Sequence, residues 1–182
     1  LWQGNSASAT QVTLAAQAAH QAFKAWSSLT VTARMEYLQK FAQQVESCRN
    51  KLAETISCET GKPLWEALTE VNAVIGKINI SLDAYHERNP EKNIGSDQDY
   101  ARLRFKPHGV VAVLGAFNFP AHLSNGHIIP ALLAGNTLIY KPSELTPAVA
   151  EIIMQCWDAA KLPIGVINCI QGDSAVGKSL LA

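Results

Sequence analysis

The chain has 182 residues, 48% of them hydrophobic and 16% charged, and its 15 basic and 15 acidic side chains cancel to a formal net charge of zero. That much apolar surface excludes intrinsic disorder, which needs too little of it to offset the entropy of ordering. Neutral charge leaves no broad basic field for phosphate backbones or anionic lipid, and the longest apolar stretches, Gly109–Phe117 and Ile128–Gly135, fall far short of the ~20 residues that span a bilayer.

Ser8 with Gln11 three residues later makes a capping box, after which Val12, Ala15, Ala16, Ala19, Phe23 and Trp26 recur at helical spacing. Met35, Leu38, Phe41, Ala42 and Val45 predict a second amphipathic helix. A third starts at Asn50 and stops at Gly61, a residue free to turn left-handed past a helix end. Pro63 suits a first helical turn. From there Leu64, Leu68, Val71, Ile75, Ile78, Leu82 and Tyr85 alternate spacings of four and three, the seam of one long packed helix. The polar run from Arg88 to Asp99 marks a loop or domain joint, and the alternating residues 100–106 read as a half-exposed strand suited to an arm toward a partner subunit.

Beyond Pro107 the period changes. Val110–Leu114, Thr137–Tyr140 and Val166–Ile170 read as buried strands. Between them lie a helical segment ending at Gly135 and a helix from Thr146-Pro147 to about Lys161. The fold class is α/β, with amino-terminal helices followed by a portion of a Rossmann-like, doubly wound parallel sheet. Three regions are expected: 1–88 helical, 89–106 the joint and arm, and 107–182 the first β-α-β-α-β portion of a cofactor domain. Leu1 is not a Met and no leader-type segment follows it, while residues 179–182 read as a helix just begun. A piece of a longer chain is expected. Cys48, Cys58, Cys156 and Cys169 form no C-x-x-C pair, which points to a reducing compartment, with cytoplasm as the default.

In such sheets ligands bind beyond the carboxyl ends of the strands, which singles out loops 115–120 (GAFNFP), 141–145 (KPSEL) and 171–177 (QGDSAVG) on one edge. Gly172–Ser179 satisfies G-x-x-x-x-G-K-[ST], so either a phosphate cradle or a plain strand-to-helix turn lies there. Lys141 and Glu144 pair a cation with an anion at a strand end. They are either a solvated turn or a clamp on a ribose diol, whose carboxylate would repel a 2′-phosphate. Asn118 is either a turn residue or a neutral amide donor aimed at a developing oxyanion.

The segments Glu59-Thr60-Gly61-Lys62-Pro63, Phe117-Asn118-Phe119-Pro120, Pro130–Thr137 (PALLAGNT) and Lys141–Pro147 (KPSELTP) resemble, in this order, the NAD(P)-dependent aldehyde dehydrogenase superfamily. Asn118–His127 and Lys77–His86 are similar to its succinylglutamate-semialdehyde dehydrogenase branch, which acts in bacterial arginine catabolism. The resemblance implies an NAD-dependent oxidation of a small-molecule aldehyde, N-succinylglutamate 5-semialdehyde to N-succinylglutamate, by a homo-oligomer. It makes Asn118 the catalytic oxyanion donor. Lys141 and Glu144 would hold the adenosine ribose of NAD, with Ser143 between them in the cofactor set. The Ala116-Phe117 backbone would line the nicotinamide side, and Gly177, in the Gly172–Gly177 turn, would border the adenine end. The phosphate cradle then becomes a coincidence of pattern.

The superfamily's nucleophile (a Gly-Gln-x-Cys-type segment), its general base (Glu-Leu-Gly-Gly-type) and its Gly-Ser/Thr-x-x-x-Gly cofactor turn do not occur in residues 1–182. Inactivity of the chain by itself is therefore expected. None of the four cysteines is placed to substitute, three falling in helices and Cys169 in a buried strand, where a thiol is a small hydrophobe. His122 and His127, five apart, do not share a helix face and read as helix-entry residues rather than a metal pair.

Overall fold

In the computed structural model, which describes residues 2–90, 92–95 and 100–181, the capping box at the first helix forms in full. Ser8 Oγ accepts the Gln11 N–H at 3.3 Å, and Gln11 Oε1 accepts the Ser8 N–H at 2.8 Å. Helix α1 (Ala9–Ser28) follows, then α2 (Val31–Ser47), entered through a Thr30 cap. Helix α3 (Arg49–Thr60) ends on Gly61 at φ 76°, as the sequence predicts, and α4 (Leu64–Arg88) begins after Pro63.

The packed face of α4 follows the predicted seam except at its start: Val71 and Ile78 are in the core, and Leu68, Ile75, Leu82 and Tyr85 pack against it. Ala67, Glu70, Val71, Val74, Ile78 and Ser81 are buried, while Leu64 is 47% exposed. The face also takes in two polar residues, of which Glu70 has its hydrogen-bond partners inside the fold. The joint also differs: Lys92–Gly95 is a strand (β1) that pairs antiparallel with β2 (Tyr100–Leu103), Lys92 opposite Leu103. A hairpin is held by main-chain hydrogen bonds, which polar side chains do not prevent. The connection 96–99 lies outside the described residues.

Strand β3 (Val110–Leu114), α5 (His122–Leu133), β4 (Thr137–Lys141), α6 (Pro147–Ala159), β5 (Ile167–Cys169) and α7 (Ser174–Leu181) complete the chain. The sheet order is β3-β4-β5 with both pairings parallel. All three carboxyl ends therefore open on one edge. Of the three strands expected to be buried, only β4 is buried throughout; in β3 only Val113 is, and β5 is half-buried. Each of those two has a single sheet neighbour among the described residues, so one of its sides stays open.

Successive β4 side chains point to opposite faces. Leu138 and Tyr140 join the larger core, built with α2–α6 around Phe41, Leu52, Ile56, Val74 and Ile129, and burial holds the Tyr140 hydroxyl in its neutral form. Ile139 joins a smaller core with Val12 and Ala19 from α1, Ile170 just after β5 and Val176 from α7. Both faces are thus covered, as a parallel sheet requires. The Gly135-Asn136-Thr137 segment ties the layers. Gly135 turns at φ 92°, Asn136 Oδ1 accepts the His108 and Gly109 N–H groups, and Thr137 Oγ1 donates to Ala19 O at 2.8 Å.

Candidate active site

The first loop leaves β3 under tight steric control. Gly115 donates its N–H to Lys141 O at 2.8 Å, and a Cβ on it would lie 2.9 Å from Ser124 Oγ and 3.0 Å from the Pro142 backbone. Ala116 is half-buried, and Phe117 and Asn118 are exposed. The Asn118 side chain makes no hydrogen bond among the described residues, but its main-chain oxygen accepts from Lys62 Nζ at 2.8 Å. Lys62 Nζ also donates to Glu70 Oε2 at 2.7 Å and sits 3.9 Å over the Phe119 ring. The remaining oxygen, Glu70 Oε1, accepts the Ala121 and His122 N–H groups at 2.9 and 3.1 Å. An anion so placed meets the positive end of a helix dipole. At the other end of α5, Arg34 Nε donates to Leu133 O at 2.9 Å and Trp26 Nε1 to Leu132 O at 3.2 Å. The helix that carries the Asn118 loop is therefore held at both termini by complementary groups.

In the second loop Lys141 is buried, its stem packed on Gly177. Its ammonium donates to Pro142 O and Gly172 O at 2.7 and 2.6 Å, and Glu144 Oε2 lies 3.7 Å away. Lys141 thus bonds the second and third loops together while keeping Glu144 as a neighbour. Ser143 Oγ accepts the Leu145 N–H, which closes the turn, and Glu144 is half-exposed. Between the two loops a hollow of about 120 Å³ is walled by residues that include Glu144, Pro147, Gly172 and Asp173. The structure thus brings Lys141, Glu144 and Gly177 together. Asn118 stands apart from them, at the end of the neighbouring strand.

The phosphate-cradle pattern is overturned by the backbone. Helix α7 already starts at Ser174, so Gly177, Lys178 and Ser179 lie inside it, and the Gly177 N–H is spent on Asp173 O. The helix entrance is closed by Asp173, whose carboxylate accepts the Ala175 N–H at 2.9 Å and would repel a phosphate. Too few free amides remain to cradle one.

Buried Cys156 and half-buried Cys169 are poor nucleophiles. Burial and the adjoining Cys48 thiol, 3.4 Å away, push Cys156 up to about 12. Burial and Glu151 push Cys169 up to about 12 as well. His122 and His127 do not converge: His127 is exposed, while His122 Nδ1 is buried without a hydrogen-bond partner among the described residues.

Two residues important to this geometry carried no assigned role in the sequence. Lys62 sits in a segment that carried the resemblance. Glu70 is a lone acid on an apolar helix face, and that misfit was the available signal.

The aldehyde dehydrogenase family description matches residues 1–182. The chain belongs to the aldehyde dehydrogenase family. It is 58% identical, over its full length, to the N-succinylglutamate 5-semialdehyde dehydrogenase of Legionella pneumophila (strain Corby). It spans 37% of that relative's length. Among solved aldehyde dehydrogenase structures, lactaldehyde dehydrogenase from Escherichia coli superposes with a TM-score of 0.91 at 30% identity, covering 97% of this chain and 37% of that one. PnpE from Pseudomonas sp. WBC-3, in complex with nicotinamide adenine dinucleotide, superposes at 0.89 with 32% identity, covering 96% and 36%. The Rossmann-like sheet is thus that of an aldehyde dehydrogenase.

Proposed function

We propose that this chain supplies the oxyanion loop and the adenosine-side loops of an NAD-dependent aldehyde dehydrogenase that oxidises N-succinylglutamate 5-semialdehyde to N-succinylglutamate in arginine catabolism. The observation that carries the substrate is the 58% identity across all 182 residues with the Legionella enzyme of that name. The chemistry rests on Asn118, whose unengaged side chain stands exposed beyond β3 while its main chain is anchored. A neutral amide held this way stabilises the negative oxygen that forms when a thiolate adds to an aldehyde, at no reorganisation cost. The nucleophile and general base belong, by resemblance, to segments other than residues 1–182.

The residues present fit the cofactor. Glu144 borders a hollow sized for a small polar group and stands beside the Lys141 ammonium. Lys141, Ser143 and Glu144 would hold the adenosine ribose, Gly177 would keep the wall behind Lys141 thin, and the Ala116-Phe117 backbone would border the nicotinamide. NAD, when bound, supplies the hydride acceptor. The carboxylate of Glu144 favours NAD over a cofactor bearing a 2′-phosphate.

Two further assignments belong to this reading. The β1–β2 hairpin forms a sheet of its own, separate from β3–β5, and Leu103 at its end and Phe105 just beyond it are exposed. It is the arm through which the enzyme forms a homo-oligomer, between the helical region of residues 1–88 and the cofactor region of residues 107–182. Four free cysteines suit the cytoplasm.

The test replaces the matched 37% of the Legionella enzyme by residues 1–182 and assays NADH formation. Turnover of N-succinylglutamate 5-semialdehyde is expected from the hybrid, and none from the 182 residues alone. A hybrid that folds, binds NAD and oxidises no aldehyde overturns the reading.

A further inference from the structure

We infer that Lys62 and Glu70 are positioning residues for the oxyanion donor Asn118, acting as one clamp on residues 118–122; this rests on the catalytic role proposed for Asn118. Lys62 Nζ has three donor directions, and all three are engaged: Glu70 Oε2 at 2.7 Å, Asn118 O at 2.8 Å and the face of the Phe119 ring at 3.9 Å. Glu70 divides its two oxygens in the same way. One takes the ammonium, and the other takes the Ala121 and His122 amides. A single ion pair thus grips the loop on its main-chain carbonyl and on the opening of the helix that follows.

The burial of this pair argues for a role beyond stability. The Lys62 and Glu70 side chains are 9% and 0% exposed. Removing both charges from water costs so much that apolar residues of equal size would hold the helices together as well or better. What an apolar pair cannot supply is direction. The peptide group is planar, so fixing the Asn118 carbonyl fixes the plane that leaves its Cα. With the Cα and the Cα–C bond of Asn118 so placed, one backbone torsion is left to set the Cα–Cβ bond from which the amide donor is carried. Reaction rates depend steeply on such placement, a displacement of about 1 Å costing on the order of 10²-fold. The same pair leaves the Asn118 side chain unengaged, because Lys62 takes the main-chain oxygen rather than the amide.

The decisive measurement is a double-mutant cycle in the hybrid enzyme, with Lys62→Met, Asn118→Ala and the double variant. Lys62→Met is expected to lower kcat by roughly 10-fold to 10²-fold while the KM for NAD stays unchanged. In the Asn118→Ala background the same substitution is expected to cost less than about twofold, because a residue acting through the amide has nothing left to act upon. Lys62→Arg should recover some of the loss, since a cation returns to the same two acceptors. Equal losses in both backgrounds would show a merely structural role and overturn the inference. If instead Asn118→Ala alone costs nothing, it is the oxyanion assignment that fails, and the two failures read differently. Amide hydrogen exchange on the hybrid enzyme gives a second readout. Lys62→Met and Glu70→Gln should speed exchange at residues 118–122 and leave α1–α3 unchanged. Uniform acceleration, or none, counts against the clamp.

Discussion

Glu59 Oε1 accepts the Ala148 N–H at 2.9 Å, across 89 residues of sequence, and its Oε2 accepts the Val149 N–H at the same distance. A carboxylate from α3 therefore caps α6. Thr146, the residue at the cap position, makes no side-chain cap of its own. Glu59→Ala should cost about 1–2 kcal/mol, the scale of a lost cap. The measurement is urea unfolding, with a lower midpoint and an unchanged slope expected. An unaltered midpoint would mean that water replaces the carboxylate without loss.

For Asn118→Ala in the hybrid enzyme, turnover should fall by roughly 10²–10³, the effect of losing one oxyanion donor. NAD affinity should be retained. Fluorescence titration of NAD beside steady-state kinetics separates the two quantities.

Glu144→Gln should narrow the preference for NAD over NADP. The carboxylate is half-exposed, so solvent screening limits its repulsion of a 2′-phosphate to about 1 kcal/mol, or roughly fivefold in the ratio of kcat/KM values. An identical ratio in the variant would detach Glu144 from the ribose.

Gly115→Ala places a methyl group 2.9 Å from Ser124 Oγ, 3.0 Å from the Pro142 Cα and 3.2 Å from the Tyr140 ring. Two of those three neighbours are backbone or core ring and do not give way easily. Overpacking of this kind costs typically about 1–3 kcal/mol. The shift should also reach Lys141 O, which accepts the Gly115 N–H, so NAD affinity and the melting temperature are expected to drop together.

The thiols of buried Cys156 and half-buried Cys169 make stability depend on alkaline pH. Cys156 and Cys169 are both raised to about 12 in the fold, against ~8.5 for a free thiol. The folded state therefore holds their protons to higher pH than the unfolded chain does. Their contribution is complete below about pH 8.5 and is lost as pH rises toward 12. Urea midpoints should fall as the pH is raised from about 8 to about 11, and fall less steeply in Cys169→Ala. On the neutral side of that range iodoacetamide should modify the exposed Cys58 first.

Local signals were legible wherever the cause lies within a few residues. The Ser8–Gln11 box, the Gly61 stop and the three strands with their loops all follow from neighbours in sequence. Glu70 was not legible in that way. Its amide partners lie 51 and 52 residues further on, and a single acid on an apolar face reads the same whether it is bound or hydrated. The strand in Lys92–Gly95 was hidden because its polar composition resembles a turn. The exposure of β3 escaped for a different reason: a run of β-branched residues says that a strand is apolar, but not whether a neighbour lies on each side of it. In the candidate site, Lys141 and Glu144 could be paired by spacing, whereas the tether from Lys141 to Gly172 required the third loop to fold back beside the second.

The Ala7 N–H donates to Gln171 O at 2.8 Å, so the entrance of α1 is seated on the loop after β5. In time as well as in space, this closes a circuit. During synthesis α1 can form as a helix early, but its docking site does not exist until residues 137–171 have emerged and paired. For most of that interval its apolar stripe, with Val12 and Ala19 at the centre, waits without a surface to cover. A helix made before the sheet is secured only after it.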